Sequence, residues 1–370
     1  MTNFSASRLI LLFFSAFLFL SWSAAAPAVT EIRYPSNLIA FMPMENLSGT
    51  AVPLREMMKS MKTALKSKGL SLLEDDILEK FMEKHRIRYA GGLTQTLGKA
   101  FLEETGTKAV LLVSLDQYDE SVPPKIALTA RLVSTGPKTE ILWMNSAAMA
   151  GNDAPGMLLL GMINDPGMLW NRARDRIASS LEEYTSKKKR NGWGKAERKF
   201  QPKSHTGFSP KPQAGKERLS IAVLPFLNDS TRRNAGEIMG LHFLRGLSES
   251  DRFEVMDPGV VRQALLMSRT IMEGGLSIPQ ADLLRVMMDV DLVLTGNVFE
   301  YDDYSGPWGT PKVNFSVRIY DTKTRQVGWS SISYNKGDDG VFFFNQGRVN
   351  TAHAMASKMA RAVVEKLSGP

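Results

Sequence analysis

The sequence predicts an α/β protein: two tandem mixed-sheet domains, each with helices packed on its sheet. Two observations predict it: an internal repeat, and the same order of apolar and turn-forming segments in both copies. Gly91 to Glu120 lies without a gap on Gly274 to Asp303. The seven identities are Gly91/Gly274, Gly92/Gly275, Leu93/Leu276, Val110/Val293, Leu111/Leu294, Tyr118/Tyr301 and Asp119/Asp302, where average residue usage gives about two. With single-residue gaps the register extends to Leu38–Asn46 against Ser220–Asn228, and to Arg131–Trp143 against Arg318–Trp329. Each copy is then long enough to bury its own core.

The second copy shows each element most clearly. Leu219 to Phe226 is a continuous apolar run ended by Asn228-Asp229-Ser230, the pattern of a buried strand entering a turn. Ile238, Leu241, Leu244 and Leu247 form a helical stripe over 235–247. Phe253 to Met256 alternates as a strand, and Asp257-Pro258 is an N-cap and first-turn pair for a helix to Met267. Ser277-Ile278-Pro279-Gln280 starts a helix through Met288, which delivers the chain into a strand over Leu292–Phe299. Lys312–Tyr320 and Gln326–Tyr334 alternate around Asp321-Thr322-Lys323-Thr324, as a β-hairpin does. Ala352, Met355, Met359, Val363 and Leu367 mark a closing helix over about 345–367.

The first copy predicts the same series: strand 38–44, helix 53–67, strand 70–73, helices 75–84 and 94–104, strand 109–116, hairpin 125–148 and helix 168–184. The order of both copies gives a mixed sheet with helices on it. The organisation read from the sequence is therefore a leader over 1–25, a first domain over 29–184, a linker over 185–218 and a second domain over 219–368.

The leader reads as a secretory signal. Arg8 precedes an apolar run from Leu9 to Leu20, and Ser23-Ala24-Ala25-Ala26 follows as a small-residue cleavage region. The chain has no cysteine, so a disulfide framework, a thiolate metal site, a cysteine nucleophile and a lipidated cysteine all drop out. Together these point to a bacterial periplasmic protein, peripheral to the outer or inner membrane at most.

Charge is concentrated in the linker. Lys187, Lys188, Lys189, Lys195, Lys199, Lys203, Lys211 and Lys216 with Arg190, Arg198 and Arg218 are opposed there only by Glu197 and Glu217, whereas the whole chain carries +8. The domains are close to neutral, so the basic balance is no argument for nucleic acid, which an exported protein would rarely meet. Prolines, glycines and unpatterned aromatics predict a mobile tether. A sharper reading makes Lys187, Lys188, Lys189, Arg190 and Trp193 a contact for an anionic membrane surface.

Four segments carry a family resemblance: Ile221 to Asn228, Arg252 to Met256, Asp291 to Val298 and Val317 to Thr324. They resemble the CsgG-like envelope family, which shares its fold with the amino-terminal domain of TolB and with outer-membrane lipoproteins that activate peptidoglycan synthases. The resemblance implies architecture far more than activity. Two features depart from the curli secretion channel of that family: there is no cysteine to lipidate, and Tyr301–Thr310 is a short loop where the channel inserts barrel strands. Envelope-protein partners and self-association are what the resemblance implies.

No constellation of reactive residues stands out. His85, His205, His242 and His353 lack zinc-ligand spacing, and no G-x-S-x-G elbow occurs. Gly91-Gly92 and Gly274-Gly275 lack the Lys-Ser/Thr of a phosphate loop and read as structural turns. Asp119-Glu120 and Asp302-Asp303 read as solvated turn residues rather than a cation site. Trp143 and Trp329 belong on the sheets. Trp308, in a Gly/Pro loop without a first-copy equivalent, is the candidate partner contact. No catalytic residue, metal ligand or cofactor is expected. The function predicted is a non-enzymatic protein-binding or scaffolding role in the periplasm, and the alternative is a subunit of an envelope secretion or polysaccharide-export assembly.

Overall fold

In the computed structural model both copies take the predicted α/β form, and they meet along a buried junction. The structure describes residues 38–369 except 89, 155–160, 187–194, 208–209, 211–216, 270–276, 307–308 and 342–346, with Ile278 described in its backbone alone. The expected leader lies outside the described residues. None of the described helices is long and apolar enough to cross a membrane.

The first module runs β1 (Ile39–Phe41), β2 (Glu45–Asn46), α1 (Leu54–Ser67), α2 (Asp75–Lys84), α3 (Gln95–Thr105), β3 (Ala109–Asp119), β4 (Lys125–Ser134), β5 (Ile141–Ala150) and α4 (Pro166–Thr185). Its sheet has the order β1-β3-β4-β5, with β2 also on β3. β1 and β2 are parallel to β3, and the remaining pairs are antiparallel. Helices α1 and α4 cover one face, packing Met61, Leu65, Trp170 and Ile177 on Leu128 and Trp143. Helices α2 and α3 cover part of the other with Phe81 and Phe101. The strand expected over 70–73 is only a bridge from Leu72 to Ile39, because the chain turns into α2 directly after it.

The second module begins inside the expected linker with β6 (Ser204–Gly207), then β7 (Leu219–Val223), β8 (Leu227–Asn228), α5 (Ala235–Ser248), β9 (Phe253–Val255), α6 (Pro258–Met267), α7 (Ile278–Met288), β10 (Leu292–Asp302), β11 (Lys312–Asp321), β12 (Gln326–Lys336) and α8 (Ala352–Ser368). Its sheet order is β6-β12-β11-β10-β7-β9, with β8 also on β10. Ser277 and Gln280 form the capping box that starts α7. Helices α5 and α8 pack on one face and α6 and α7 on the other.

The duplication holds in detail. β3 and β10 differ by the repeat offset at both ends, and each bulges at the same place, Asp116 in one and Phe299 in the other. Asn46 Oδ1 accepts from the Ser48 N–H and hydroxyl as Asn228 Oδ1 does from Ser230, so both β-to-α turns are the same Asx turn. Trp143 and Trp329 are both buried on their sheets.

The tether needs a correction over residues 195–207. Phe200 is buried in the second core, Lys199 and Lys358 lie over its ring, and Lys358 pairs with Glu197 at 2.8 Å. The four residues of β6, all exposed, pair antiparallel with β12 and cover part of its edge. Composition pointed to disorder because most of the segment is charged, yet one aromatic in a fitted pocket and one edge of unpaired backbone groups are enough to hold it.

Candidate functional site

The junction between the modules holds buried polar clusters and an apolar cavity. Asp257 caps α6, and its carboxylate accepts from Gly259 N in its own helix at 2.8 Å. The same carboxylate crosses to the first module, accepting from Leu93 N at 2.7 Å and from Arg131 Nε at 2.9 Å. Arg131 also donates to Gly91 O. Asp257 is fully buried and Arg131 nearly so, so the pair is desolvated and held by four hydrogen bonds in a helix N-terminal field. The double glycine is therefore more than a turn. A Cβ on Gly92 would stand 2.4 Å from Gly259 N, so two backbones touch where any side chain would separate the modules.

A second buried cluster lies where α8 meets β3. Asp116, in the β3 bulge, accepts from Ser114 at 2.6 Å, from Thr129 and from His353 Nε2 at 2.9 Å, while its backbone oxygen takes Arg232 at 2.6 Å. His353 meets His242 edge to face, 4.4 Å between ring centres, and His242 Nε2 lies 3.3 Å from the Tyr301 hydroxyl. Burial, then the neighbouring His353 and Arg245, hold His242 well below the usual imidazole range. Burial pushes the Tyr301 phenol well above its ordinary value. All four groups are at most 2% exposed, which makes this a structural tie closed to solvent rather than a place for substrate.

Farther along the junction Lys125 Nζ donates to Tyr304 O, lies 4.0 Å from the Tyr304 ring centre, and is depressed by burial. Asn350 reaches Asp153 at 3.0 Å, Arg245 reaches Ser146 at 2.7 Å, and Asn234 reaches Leu47 O at 3.2 Å.

Between these ties is a cavity of about 250 Å³. Leu47 of the first module and Val223, Leu241, Leu244, Val261 and Leu265 of the second make its apolar wall, and Glu45, Glu237 and Arg262 are its charged groups. Burial raises the Glu45 carboxyl, against the lowering effect of Arg131. Leu266 lines the cavity and is 67% exposed, with Met267 beside it on α6 equally open. On α7, which packs against α6, Leu283 and Val286 are also exposed. An apolar hollow continuous with exposed aliphatic side chains can take an aliphatic group from a partner.

The residues singled out in the sequence distribute as follows. Trp308, Lys187, Lys188, Lys189, Arg190 and Trp193 lie outside the described residues, as does Gly274-Gly275. Arg131 and Arg318 part company: Arg131 is buried in the junction and Arg318 is exposed on β11. Asp119 accepts from Ser121 N, and Asp303 accepts from Ala352 N beside Arg232, so each carboxylate has a structural partner. Among the described residues no group of three or more metal-ligating side chains assembles. His242, between Leu241 and Phe243, is a packed residue, and its partner His353 was out of reach of sequence spacing. The Asp116–His353 and Arg131–Asp257 ties carry no local motif. The only signal for the second was the repeat itself, which marked Arg131 and the double glycine as shared positions.

No protein-family model matches this chain, and no curated protein matches it. Solved structures do match. The PelC dodecamer from Paraburkholderia phytofirmans is 16% identical, with 45% of this chain and 99% of that chain covered and a TM-score of 0.30. Lipoprotein GNA1162 from Neisseria meningitidis is 23% identical, covering 39% of this chain and 99% of its own, TM-score 0.29. The LpoB C-terminal domain from Salmonella enterica is 17% identical, covering 31% and 82%, TM-score 0.27. Each match spans less than half of this chain and most or nearly all of the other.

Proposed function

We propose that this chain is a non-enzymatic protein of the bacterial cell envelope, exported to the periplasm, that binds another envelope protein at the junction of its two modules. The observation that carries the reading is the cavity walled by both modules and continuous with exposed Leu266 and Met267. Its chemistry suits an aliphatic side chain or two on a helix or strand of the partner, with a basic residue near Glu45 and Glu237. The buried His–Asp and Arg–Asp ties support a binding role, since they fix the shape of the cavity and offer no solvent-reachable nucleophile.

The test is photo-crosslinking in intact cells from a benzophenone amino acid at position 266, with mass spectrometry of the products. A discrete envelope-protein adduct that disappears in a Leu265→Asp variant is the expected result. Adducts that are diffuse, or unchanged by that substitution, would remove the cavity from the account. A second reading, a subunit of a secretion or polysaccharide-export assembly, is favoured by the head-to-tail way in which the two modules meet.

A further inference from the structure

The repeat supplies an internal control for the pair of helices on the second face of each sheet. α2 and α6 begin and end at places separated by the repeat offset, and so do α3 and α7. Arg86 and Arg269, two residues past α2 and α6, even share a φ of 51°. The backbones correspond residue by residue, but the side chains turned to solvent do not.

In the first module this layer is laced with charge. α2 and α3 carry Asp75, Asp76, Glu79, Glu83, Glu103 and Glu104 against Lys80, Lys84 and Lys99. Lys84 bridges the two helices to Glu104 at 2.9 Å, and Lys99 reaches Glu103 at 3.7 Å. In the second module Met267 and Met287 stand where the bridge stands, Val286 stands for Glu103, and Leu283 stands for Ala100. Met267, Leu283 and Val286 are 68%, 43% and 71% exposed. The fold accepts solvated ion pairs at these places, so open aliphatic side chains there are no requirement of packing.

The balance of charge changes with them. α6 and α7 carry one carboxylate, Asp282, and it pairs with Arg325 of the β11–β12 turn. Arg262 belongs to the cavity. Around the aliphatic face the exposed charges are then Arg269, Arg285, Lys323 and Arg325 against Asp289. Asp291 and Asp321, both half-buried, accept from Ser220 and from the N–H groups of Lys323 and Thr324. Neither helix holds an aromatic residue, whereas the centre of a protein interface takes aromatic anchors and sheds charge. Aliphatic side chains ringed by long-stemmed cations are what an interfacial segment presents to anionic headgroups.

We infer that the α6–α7 layer docks on an anionic phospholipid bilayer, with Met267, Leu283 and Val286 entering the headgroup region and Arg269, Arg285, Lys323 and Arg325 against the phosphates. Each cation beside such a surface raises partition about fivefold, so the contact is reversible and weakened by salt. Met267 lies beside the cavity mouth, but no residue of this face lines the cavity, so lipid docking neither needs the binding reading above nor follows from it.

The chain has no cysteine, so a single one takes an environment-sensitive fluorophore at one chosen place. Val286→Cys and Glu103→Cys, at mated positions of α7 and α3, are labelled with a nitrobenzoxadiazole group and titrated at low ionic strength with vesicles of phosphatidylcholine alone or with added phosphatidylglycerol. On the phosphatidylglycerol vesicles the label at 286 should shift to the blue and be quenched by spin-labelled lipid, while the label at 103 keeps its aqueous spectrum. Leu283→Cys is a second reporter and should respond as 286 does. Arg269→Glu combined with Arg285→Glu should weaken the response about tenfold or more. All the substituted positions are exposed, and unchanged thermal unfolding checks that the chains are folded. Labels at 286 and 283 that stay aqueous, an equal response at 103, an equal response on phosphatidylcholine alone, or a double reversal without effect would each overturn the inference. So would vesicle binding that is lost only when Lys187, Lys188, Lys189 and Arg190 are neutralised, or a shift at 286 produced by a soluble envelope extract and not by vesicles. Crosslinking at position 266 reports on the cavity, so neither result decides the other.

Discussion

Gly92 and Gly259, one from each module, meet backbone to backbone. A Cβ added to Gly259 would lie 2.4 Å from Leu93 N and 2.6 Å from Gly92 C. No rotamer relieves such an overlap, because the obstacle is main chain. Gly259→Ala is therefore expected to cost about 2 kcal/mol or more, by pushing the modules apart or distorting the α6 start. Gly240→Ala is the control. A Cβ added there, in the middle of α5, would meet only Val223 Cγ1 of β7, at 4.0 Å, and alanine should stabilise that helix by about 0.5–1 kcal/mol. Urea denaturation of the two variants should move in opposite directions from the wild type.

The two repeat-related arginines should differ sharply on truncation. Arg131→Ala leaves a buried Asp257 carboxylate with only backbone donors, and breaking a buried pair from one side costs about 3–5 kcal/mol. Arg318→Ala removes an exposed side chain without a described partner and should change stability by no more than about 0.5 kcal/mol. Equal effects in thermal or urea unfolding would contradict the burial of one and the openness of the other.

His242 sets an acid limit on stability. Its folded-state pKa is depressed below the ordinary value of 6.5, mainly by burial and then by His353. As pH falls below that value the unfolded chain binds a proton that the folded chain refuses, so stability declines, by up to about 1.4 kcal/mol per pH unit for one group. Asp303 and Glu45, whose carboxyls are raised by burial, act with the opposite sign nearer their own range and gain stability on acidification. The His242 contribution is isolated by comparison with His242→Asn. The difference in unfolding free energy between wild type and variant should shift against the wild type as pH is lowered from 7 to 5, and a constant difference would remove this role.

Phe200 decides whether the start of the second module lies inside the basic segment. Its side chain is 1% exposed against the α8 core, so Phe200→Ala should cost about 3–5 kcal/mol. A change within about 0.5 kcal/mol would return the whole segment to a tether.

Most of the architecture was legible because it depends on local signals. Helices α2 and α6 carry acidic residues or Asp-Pro at their starts, α7 has its capping box, and β11 and β12 alternate around a turn. The repeat then aligned the weaker first copy on the clearer second. What escaped is set by distance in sequence. His353 and Asp116 belong to different modules, and nothing in the spacing of four histidines tells that two will stack. Arg131 and Arg318 look alike in the sequence, and only the head-to-tail junction separates a buried tie from an open face. The segment around Phe200 was misread because composition averages over residues, while docking needs one side chain and one strand edge.

The account rests on the two modules forming one cooperative body through that junction. Hydrogen exchange measured by mass spectrometry over a range of subdenaturing urea concentrations tests this most directly, by following peptides from β3 and β4 beside peptides from β10 and β11. The account predicts that the slowest amides of both sheets open with the same free energy and the same urea dependence, and that Arg131→Ala lowers both together. Two distinct opening free energies in the wild type, with Arg131→Ala affecting only the first sheet, would contradict it.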